Sequence, residues 1–444
     1  MKIGKTLPDD CTLLPVTGGM LLVSRGHAVF CRVPDQEIEA IGCVLSGRQS
    51  PDDLGDSLLD SLREHGFFGP PRAAAAEVAS VQIQVTNECN LACAYCCTNS
   101  GSPRTNETTL AKLLSVVRQI PEVLGPNTGV ALLGGEPLLV PWVVQLAHEI
   151  LALGLKLTIF TNGVRLADDQ CAEQVATLVR RGAKVRVSLG GPDAATCDAI
   201  SGGVRFHSSL LGIQKLAELG AQVSVDLMMM PQNVNTIVAE VGRLRERLPD
   251  RTPLALGVLY RSGREGGEHL FPSRAELEAE LDRIAFEAGV SIPAAERGPV
   301  MDRRDGCVCA AGKQIHIRSD GTLFRCFKME EQVGHLDTIG FVAAAQALRG
   351  RPRRASDSPV CAECALASLC GGGCRSENLL YTGCADIPPC GAWRVRVLSE
   401  LLAEDRIAAV EWPVAFLLDE ARRRGIPIPS DVLPRVSSRH LVEV

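Results

Sequence analysis

Cys89, Cys93 and Cys96 stand in a C-x3-C-x2-C run, Asn87-Glu88-Cys89-Asn90-Leu91-Ala92-Cys93-Ala94-Tyr95-Cys96-Cys97, with an aromatic residue just before the third cysteine. Three closely spaced thiolates on one loop suit three irons of a cubic iron–sulfur cluster and leave the fourth iron open for chemistry. Zinc is more often offered four protein ligands in a closed site, so a zinc loop fits this spacing less well. Cys97 is not expected to be a ligand, because adjacent thiolates rarely reach one cube. The run directly follows a strand-like alternation over 81–85.

Three further segments follow at intervals of one strand–helix unit. The apolar run 130–133 leads into Gly134-Gly135-Glu136-Pro137, and two glycines at a strand end let a ligand approach the backbone closely. Next come Leu157-Thr158-Ile159-Phe160-Thr161-Asn162-Gly163 and Val185-Arg186-Val187-Ser188-Leu189-Gly190-Gly191-Pro192. Together with the cysteine run and Tyr95, these segments resemble the signature of the radical S-adenosylmethionine (SAM) enzymes. The resemblance implies a [4Fe–4S] cluster on Cys89, Cys93 and Cys96 whose open iron binds the amino and carboxylate groups of SAM. Reductive cleavage would then yield a 5′-deoxyadenosyl radical. It also places Tyr95, Gly134, Gly135, Glu136, Pro137, Thr161, Asn162 and Ser188 at the SAM site, the GGEP run against the methionine amino group. Gly190 stands where the family usually has aspartate, so any role built on that carboxylate is in doubt.

The elements that must position these residues read as alternating strands and helices from 81 to about 260. Strands are expected at 81–86, 130–134, 156–161, 184–189, 222–229 and 254–259. Helical patterns lie between them, for example at 141–153, which opens with a proline, and at 167–181. Repeated βα units imply a parallel sheet with helices outside. Six units match the partial (β/α)6 TIM barrel of radical SAM enzymes, an α/β fold in which functional groups gather at the C-terminal ends of the strands. Two later strand ends could join them: Met228-Met229-Met230-Pro231 with Asn233, and Tyr260-Arg261-Ser262-Gly263-Arg264. The methionines serve equally as core filling.

Residues 1–72 read differently. Strands at 18–24 and 27–33 flank a tight Arg25-Gly26 turn, and helices are expected at 37–45 and 51–64. The order resembles the winged-helix fold of RiPP recognition elements, which bind a precursor's leader by strand addition; a structural cap on the barrel is the alternative. Seven Lys/Arg against ten Asp/Glu disfavour DNA binding. A linker is expected at 73–80, the barrel at 81–299, and a helical tail at 394–444.

Eighteen cysteines in 444 residues, without an export signal, point to metal ligation rather than disulfides. Cys11, Cys31, Cys43, Cys171 and Cys197 are scattered and read as small buried residues. Beyond 300 a second array appears: Cys309-x11-Gly321-x4-Cys326, then Cys361-x2-Cys364-x5-Cys370-x3-Cys374, then Cys390. It resembles the seven-cysteine SPASM domain of peptide-modifying radical SAM enzymes, here at 300–393. The resemblance assigns Cys309, Cys326 and Cys374 to a first auxiliary cluster and Cys361, Cys364, Cys370 and Cys390 to a second, three [4Fe–4S] clusters in all. Cys307, a substrate cysteine or an open iron would complete the first; Cys384 ranks below Cys390. Phe327 replaces the aspartate that follows this cysteine in sulfatase-maturing members, which argues against formylglycine formation.

Net charge is −6 and no apolar run is long enough to span a bilayer. A cytoplasmic enzyme is expected, with neither nucleic acid nor membrane as partner. The resemblance implies a radical SAM peptide maturase that abstracts hydrogen from a ribosomally made precursor and forms a thioether or carbon–carbon crosslink. It would take electrons from a low-potential flavodoxin or ferredoxin. Epimerisation, excision or decarboxylation, on a peptide or a small molecule, and an iron–sulfur electron-transfer protein are the rivals. No residue of the barrel is identified as a general base.

Overall fold

The computed structural model describes residues 6–16, 19–27, 29–69, 80–229, 233–250, 252–258, 264 and 314–348, and between 358 and 387 residues 358, 360–362, 364, 365, 367, 371, 372, 375–382 and 384–387. These fall into two compact units: 6–69 with the residues between 358 and 387, and 80–264 with 314–348.

In the first unit, alternating apolar residues form a three-stranded antiparallel meander of β1 (Cys11–Val16), β2 (Gly19–Ser24) and β3 (Val29–Pro34). The Arg25-Gly26 turn is pinned by Asp10, whose carboxylate accepts from Ser24 Oγ at 2.8 Å and from the Gly26 N–H. Two helices follow, α1 (Ile38–Leu45) and α2 (Asp56–Glu64). Ile41, Leu58 and Leu62 pack with Leu22, Cys31 and Val33 in one core. The helix expected over 51–64 is broken. Ser50 caps a short 3-10 turn, Pro51–Asp53, and Gly55 lies so close to Glu37 that a Cβ there would sit 2.5 Å from its carboxylate. The helix restarts only beyond that contact.

The second unit is built on six parallel strands in sequential order: β4 (Ser80–Gln84), β5 (Gly129–Leu133), β6 (Lys156–Thr161), β7 (Lys184–Leu189), β8 (Ser224–Met229) and β9 (Leu254–Val258). Their outward positions, such as Val81, Ile83, Val130, Leu132, Val187 and Val225, are at most 1% exposed. They share one core with the buried faces of α3 (Leu110–Leu124), α4 (Val143–Ala152), α5 (Asp169–Arg180), α7 (Phe206–Glu218) and α8 (Val234–Arg247). A short α6 (Ala194–Ser201) precedes α7. Thr109, Asp168 and Asp193 cap α3, α5 and α6 through their side chains. The result is a partial (β/α)6 barrel of mixed α/β class. Pro141 is not the first residue of α4, which begins two residues later. The proline that occupies a first helical position is Pro137, in the 3-10 turn Pro137–Leu139 after β5.

The sheet does not end with the six strands. β10 (Gln314–Ile317) pairs in parallel with β4, and β11 (Thr322–Cys326) and β12 (Met329–His335) extend it as an antiparallel hairpin. The described start of the expected C-terminal domain is thus continuous with the barrel sheet. The helix Gly340–Leu348 closes it with Phe341, Ala344, Ala345 and Leu348 in the same core.

On the inner face of the sheet, Arg186 of β7 and Asp226 of β8 form a two-pronged ion pair, 2.7 and 3.0 Å, with both residues under 10% exposed. The guanidinium also lies 5.2 Å from the centre of the Phe160 ring on β6. Removing the carboxylate takes a two-pronged counter-charge from a buried guanidinium, so Asp226→Ala is expected to cost about 3–5 kcal/mol. The Arg186→Met/Asp226→Leu double variant should recover most of that loss, measured by urea unfolding; a single variant within about 0.5 kcal/mol of the parent would contradict this account.

Candidate functional site

The chain leaving β4 enters the cysteine loop, which is closed on itself. Cys89 N–H donates to Gly101 O at 2.8 Å and Gly101 N–H to Asn87 O at 2.9 Å. Its middle is tied to the end of α6, with Ala92 N–H donating to Ser201 O and Ala94 N–H to Ile200 O, both at 3.1 Å. Cys89, Cys93 and Cys96 are half-buried, whereas Cys97 is exposed. Arg264, from the stretch after β9, clasps the loop: its N–H donates to Cys96 O at 3.0 Å, its Nε to Cys93 O at 3.1 Å and its Nη2 to Ser100 O at 2.6 Å. Residues 260–263 and 230–231 lie outside the described residues.

The three thiols differ in their ease of ionisation. Burial pushes the Cys89 thiol up to about 11, with the charges of Glu136, Cys93 and Cys96 acting in the same direction. Burial also raises Cys93, against the pull of the Arg205 cation. At Cys96 burial is outweighed by hydrogen bonds from Thr98 and Ser100, including Ser100 N–H to Sγ at 3.2 Å, and the thiol falls below its ordinary value. Among the described residues no three His, Cys, Asp or Glu side chains converge as ligands of a single ion would. The fit to a multi-iron group rests on the donor set: three thiols on one clamped loop, whose ionised forms a bound cationic group would stabilise.

The GGEP run is built against this loop. Gly135 N–H donates to Thr86 O at 2.9 Å and Glu136 N–H to Glu88 O at 2.8 Å. A Cβ on Gly134 would stand 2.6 Å from Thr86 O, and one on Gly135 only 2.1 Å from Glu88 O. Both glycines are therefore required by the chain's approach to itself. Pro137 follows as the first residue of its turn. Glu136 is fully buried. Its carboxylate accepts from Leu138 N–H at 3.0 Å, Thr161 Oγ1 at 2.7 Å and Asn162 N–H at 2.7 Å, strapping the end of β5 to that of β6. Asn162 Nδ2 in turn donates to Asn90 Oδ1 at 2.8 Å, inside the cysteine loop.

Arg205, which no sequence pattern picked out, completes the frame. It is 1% exposed. Its Nη1 donates to Ser188 O at 2.6 Å and Asn162 O at 3.3 Å, its Nε to Ser201 Oγ at 2.6 Å and its Nη2 to Tyr95 Oη at 3.4 Å. The ends of β6 and β7 and the cysteine loop thus share one buried cation. A Cβ on Gly190 would lie 3.1 Å from Ser201 Oγ and 3.5 Å from Arg205 Nη2. The tight contacts there are with Ser201 Oγ and, at 3.3 Å, the Cys197 carbonyl oxygen, which crowd the side of the chain from which the family's aspartate would project. At β8, Asn233 Nδ2 donates to Gly190 O and Met228 O, both at 2.7 Å.

Of the second cysteine array, Cys326 is buried at the end of β11. Cys361 is buried and Cys364 and Cys384 half-buried in the first unit. Cys307, Cys309, Cys370, Cys374 and Cys390 lie outside the described residues.

Residues 83–241, which hold every one of these strand ends from β4 to β8, match the family described as Radical SAM superfamily. The chain carries a radical SAM domain. It is 26% identical to the PqqA peptide cyclase of Streptomyces rochei, over 72% of this chain and 90% of that one. It is 29% identical to a probable GTP 3′,8-cyclase of Methanopyrus kandleri, over 57% and 83%. Among solved structures, Streptococcus suis SuiB bound to the precursor peptide SuiA superposes with a TM-score of 0.53 at 17% identity, covering 87% of this chain and 98% of SuiB. That likeness is one of fold.

Glu136→Gln preserves volume but replaces one acceptor oxygen with a donor. Either Asn162 N–H, or Leu138 N–H with Thr161 Oγ1, would then face an amide NH2. The expected loss is about 1–3 kcal/mol of unfolding free energy for an unmet buried donor. A urea midpoint unchanged from the parent would show that the carboxylate is not the strap described.

Proposed function

We propose that this chain is a radical SAM peptide maturase of the SPASM type, acting on a ribosomally made precursor to form a thioether or carbon–carbon crosslink. The observation that carries the proposal is the locking of the cysteine loop, the GGEP turn, the TNG turn and the Ser188 strand end into one frame by Glu136 and Arg205. Cys89, Cys93 and Cys96 would hold a [4Fe–4S] cluster, with SAM on its open iron beside the GGEP and TNG turns. The chemistry that this group supplies when bound is reductive cleavage of SAM and, from it, hydrogen-atom abstraction. The chain's own share is to fix and to shield. Thr98 and Ser100 make the Cys96 thiol easier to ionise, Arg205 offsets charge at Cys93, and Glu136 fixes the turns on which SAM would rest.

Cys309, Cys326 and Cys374 would hold a first auxiliary cluster, its fourth iron met by Cys307 or a substrate cysteine or left open, and Cys361, Cys364, Cys370 and Cys390 a second. The peptide reading is supported by the similarity to the PqqA peptide cyclase and by a fold shared with SuiB, which was solved with a precursor peptide. The meander at the N-terminus supports it too. Among the described residues β3 is the last strand of its sheet, packed on two helices, the arrangement a leader would extend by strand addition. A small-molecule substrate is the second reading, favoured by the match to a GTP 3′,8-cyclase. No helix among the described residues is long and apolar enough to cross a membrane.

After anaerobic reconstitution about three [4Fe–4S] clusters per chain are expected. Replacing Cys89, Cys93 and Cys96 together by alanine should remove one cluster and abolish 5′-deoxyadenosine formation, leaving the other iron in place. Undiminished deoxyadenosine in the triple variant would sink the site assignment.

A further inference from the structure

The inner face of the sheet carries polar atoms that the radical site does not use. On β10, Ile315 and Ile317 are fully buried in the core shared with the helices. Gln314 and His316, at the alternate positions, therefore face the other way, into the barrel. On β4 the same argument turns Gln82 inward between Val81 and Ile83. The register sets His316 directly beside Gln82, Gln82 beside Ala131 of β5, and Ala131 beside Thr158 of β6. Ala131 is the short side chain of this row, between the longer Gln82 and Thr158.

Three atoms here are buried without a hydrogen-bond partner among the described residues: Gln82 Oε1, Gln314 Nε2 and His316 Nδ1. Gln314 and His316 are each 3% exposed. Unmet buried polar atoms each cost about 1–3 kcal/mol, and native interiors hold few of them. Three on adjacent positions mark a place where a partner belongs. The set also defines that partner. It offers one acceptor, one donor and one ring nitrogen able to act as either, matching the C=O and N–H of a single amide group. It offers no net charge. Burial, with the nearby Arg318 cation, lowers the imidazole to about 4, so it is neutral at physiological pH. The inward pair Arg186–Asp226 neutralises itself. The Phe324 and Phe327 rings, 6.3 and 6.2 Å from the imidazole, wall the histidine on its other side.

We propose that Gln82, Gln314 and His316 form a binding site for a neutral amide, and that its occupant is a backbone peptide group of the substrate. The choice of occupant rests on the peptide reading above; the amide chemistry of the site does not.

The test uses N-acetylglycinamide as the probe, with acetate and methylammonium as charged comparisons, on the full-length chain with isotope-labelled histidine. The His316 ring signals are identified by their loss in His316→Phe. The expected result is a saturable shift of those signals with N-acetylglycinamide, and a response at least about tenfold weaker to either ion, a difference of about 1.4 kcal/mol. Gln82→Leu/Gln314→Leu should weaken amide binding to a similar degree while the circular dichroism stays that of the parent. No saturable shift up to the solubility limit, or an equal response to acetate, overturns the proposal. Should the double variant fail to fold, the comparison of three probes on the parent chain decides alone. The measurement needs neither SAM nor an electron donor. Its failure would leave the radical reading standing, and failure of the radical reading would appear instead as absent deoxyadenosine.

Discussion

The carboxylate of Glu136 is the constraint from which the rest of the site follows. A fully buried acid at a strand end is tolerable only if its oxygens are met, and here three donors from two neighbouring turns meet them. The same residue's N–H is bonded to Glu88, one position before the first cysteine. A single side chain therefore sets the spacing between β5 and β6 and, through its backbone, the departure of the cysteine loop from β4. The two glycines before it are consequences of that closeness, since any side chain on Gly135 would overlap the loop's own carbonyl.

Arg205 does from the helix side what Glu136 does from the strand side. Its guanidinium meets carbonyls at two strand ends and the hydroxyls of Ser201 and Tyr95. A planar fork with five N–H groups suits this work in a way that the single point charge of a lysine would not. Beside it sit the Cys89 and Cys93 thiols, whose ionisation is opposed by burial and by the neighbouring sulfurs. A fixed, desolvated cation at that place favours negative charge on the loop without competing as a ligand.

Much of this was legible in the sequence because the chemistry is local. Thiol spacing is carried by eight consecutive residues, and each barrel strand shows its alternation within one short run. Strand ends at 161 and 189 were read at their observed positions. What escaped is what depends on distant chain. Arg205 follows two glycines and a valine between helices, and nothing in that stretch reveals that Ser188 and Tyr95 lie within reach. The unusual Gly190 was visible, but the crowding there, from Ser201 Oγ and the Cys197 carbonyl of α6, exists only once α6 is folded onto the end of β7. β10 has four residues, too few for periodicity to separate it from a loop, and its partner lies more than two hundred residues earlier.

The parallel pairing of β10 with β4 has a consequence for distance. Cys326 ends β11, two strands across the sheet from the strand that launches Cys89. With strands about 4.8 Å apart, the two chain segments are about 10 Å apart laterally, and that interval is set by backbone ladder bonds. Side-chain rearrangement at the mouth of the barrel would leave it unchanged. Because β11 runs antiparallel, its end at Cys326 lies level with Gln314 and so with Ser80 at the start of β4, and any electron passing from a group there to the cysteine loop travels the length of β4 as well as the lateral interval. The give in the hairpin lies on its far side, where the β11–β12 ladder slips register on either side of Phe324.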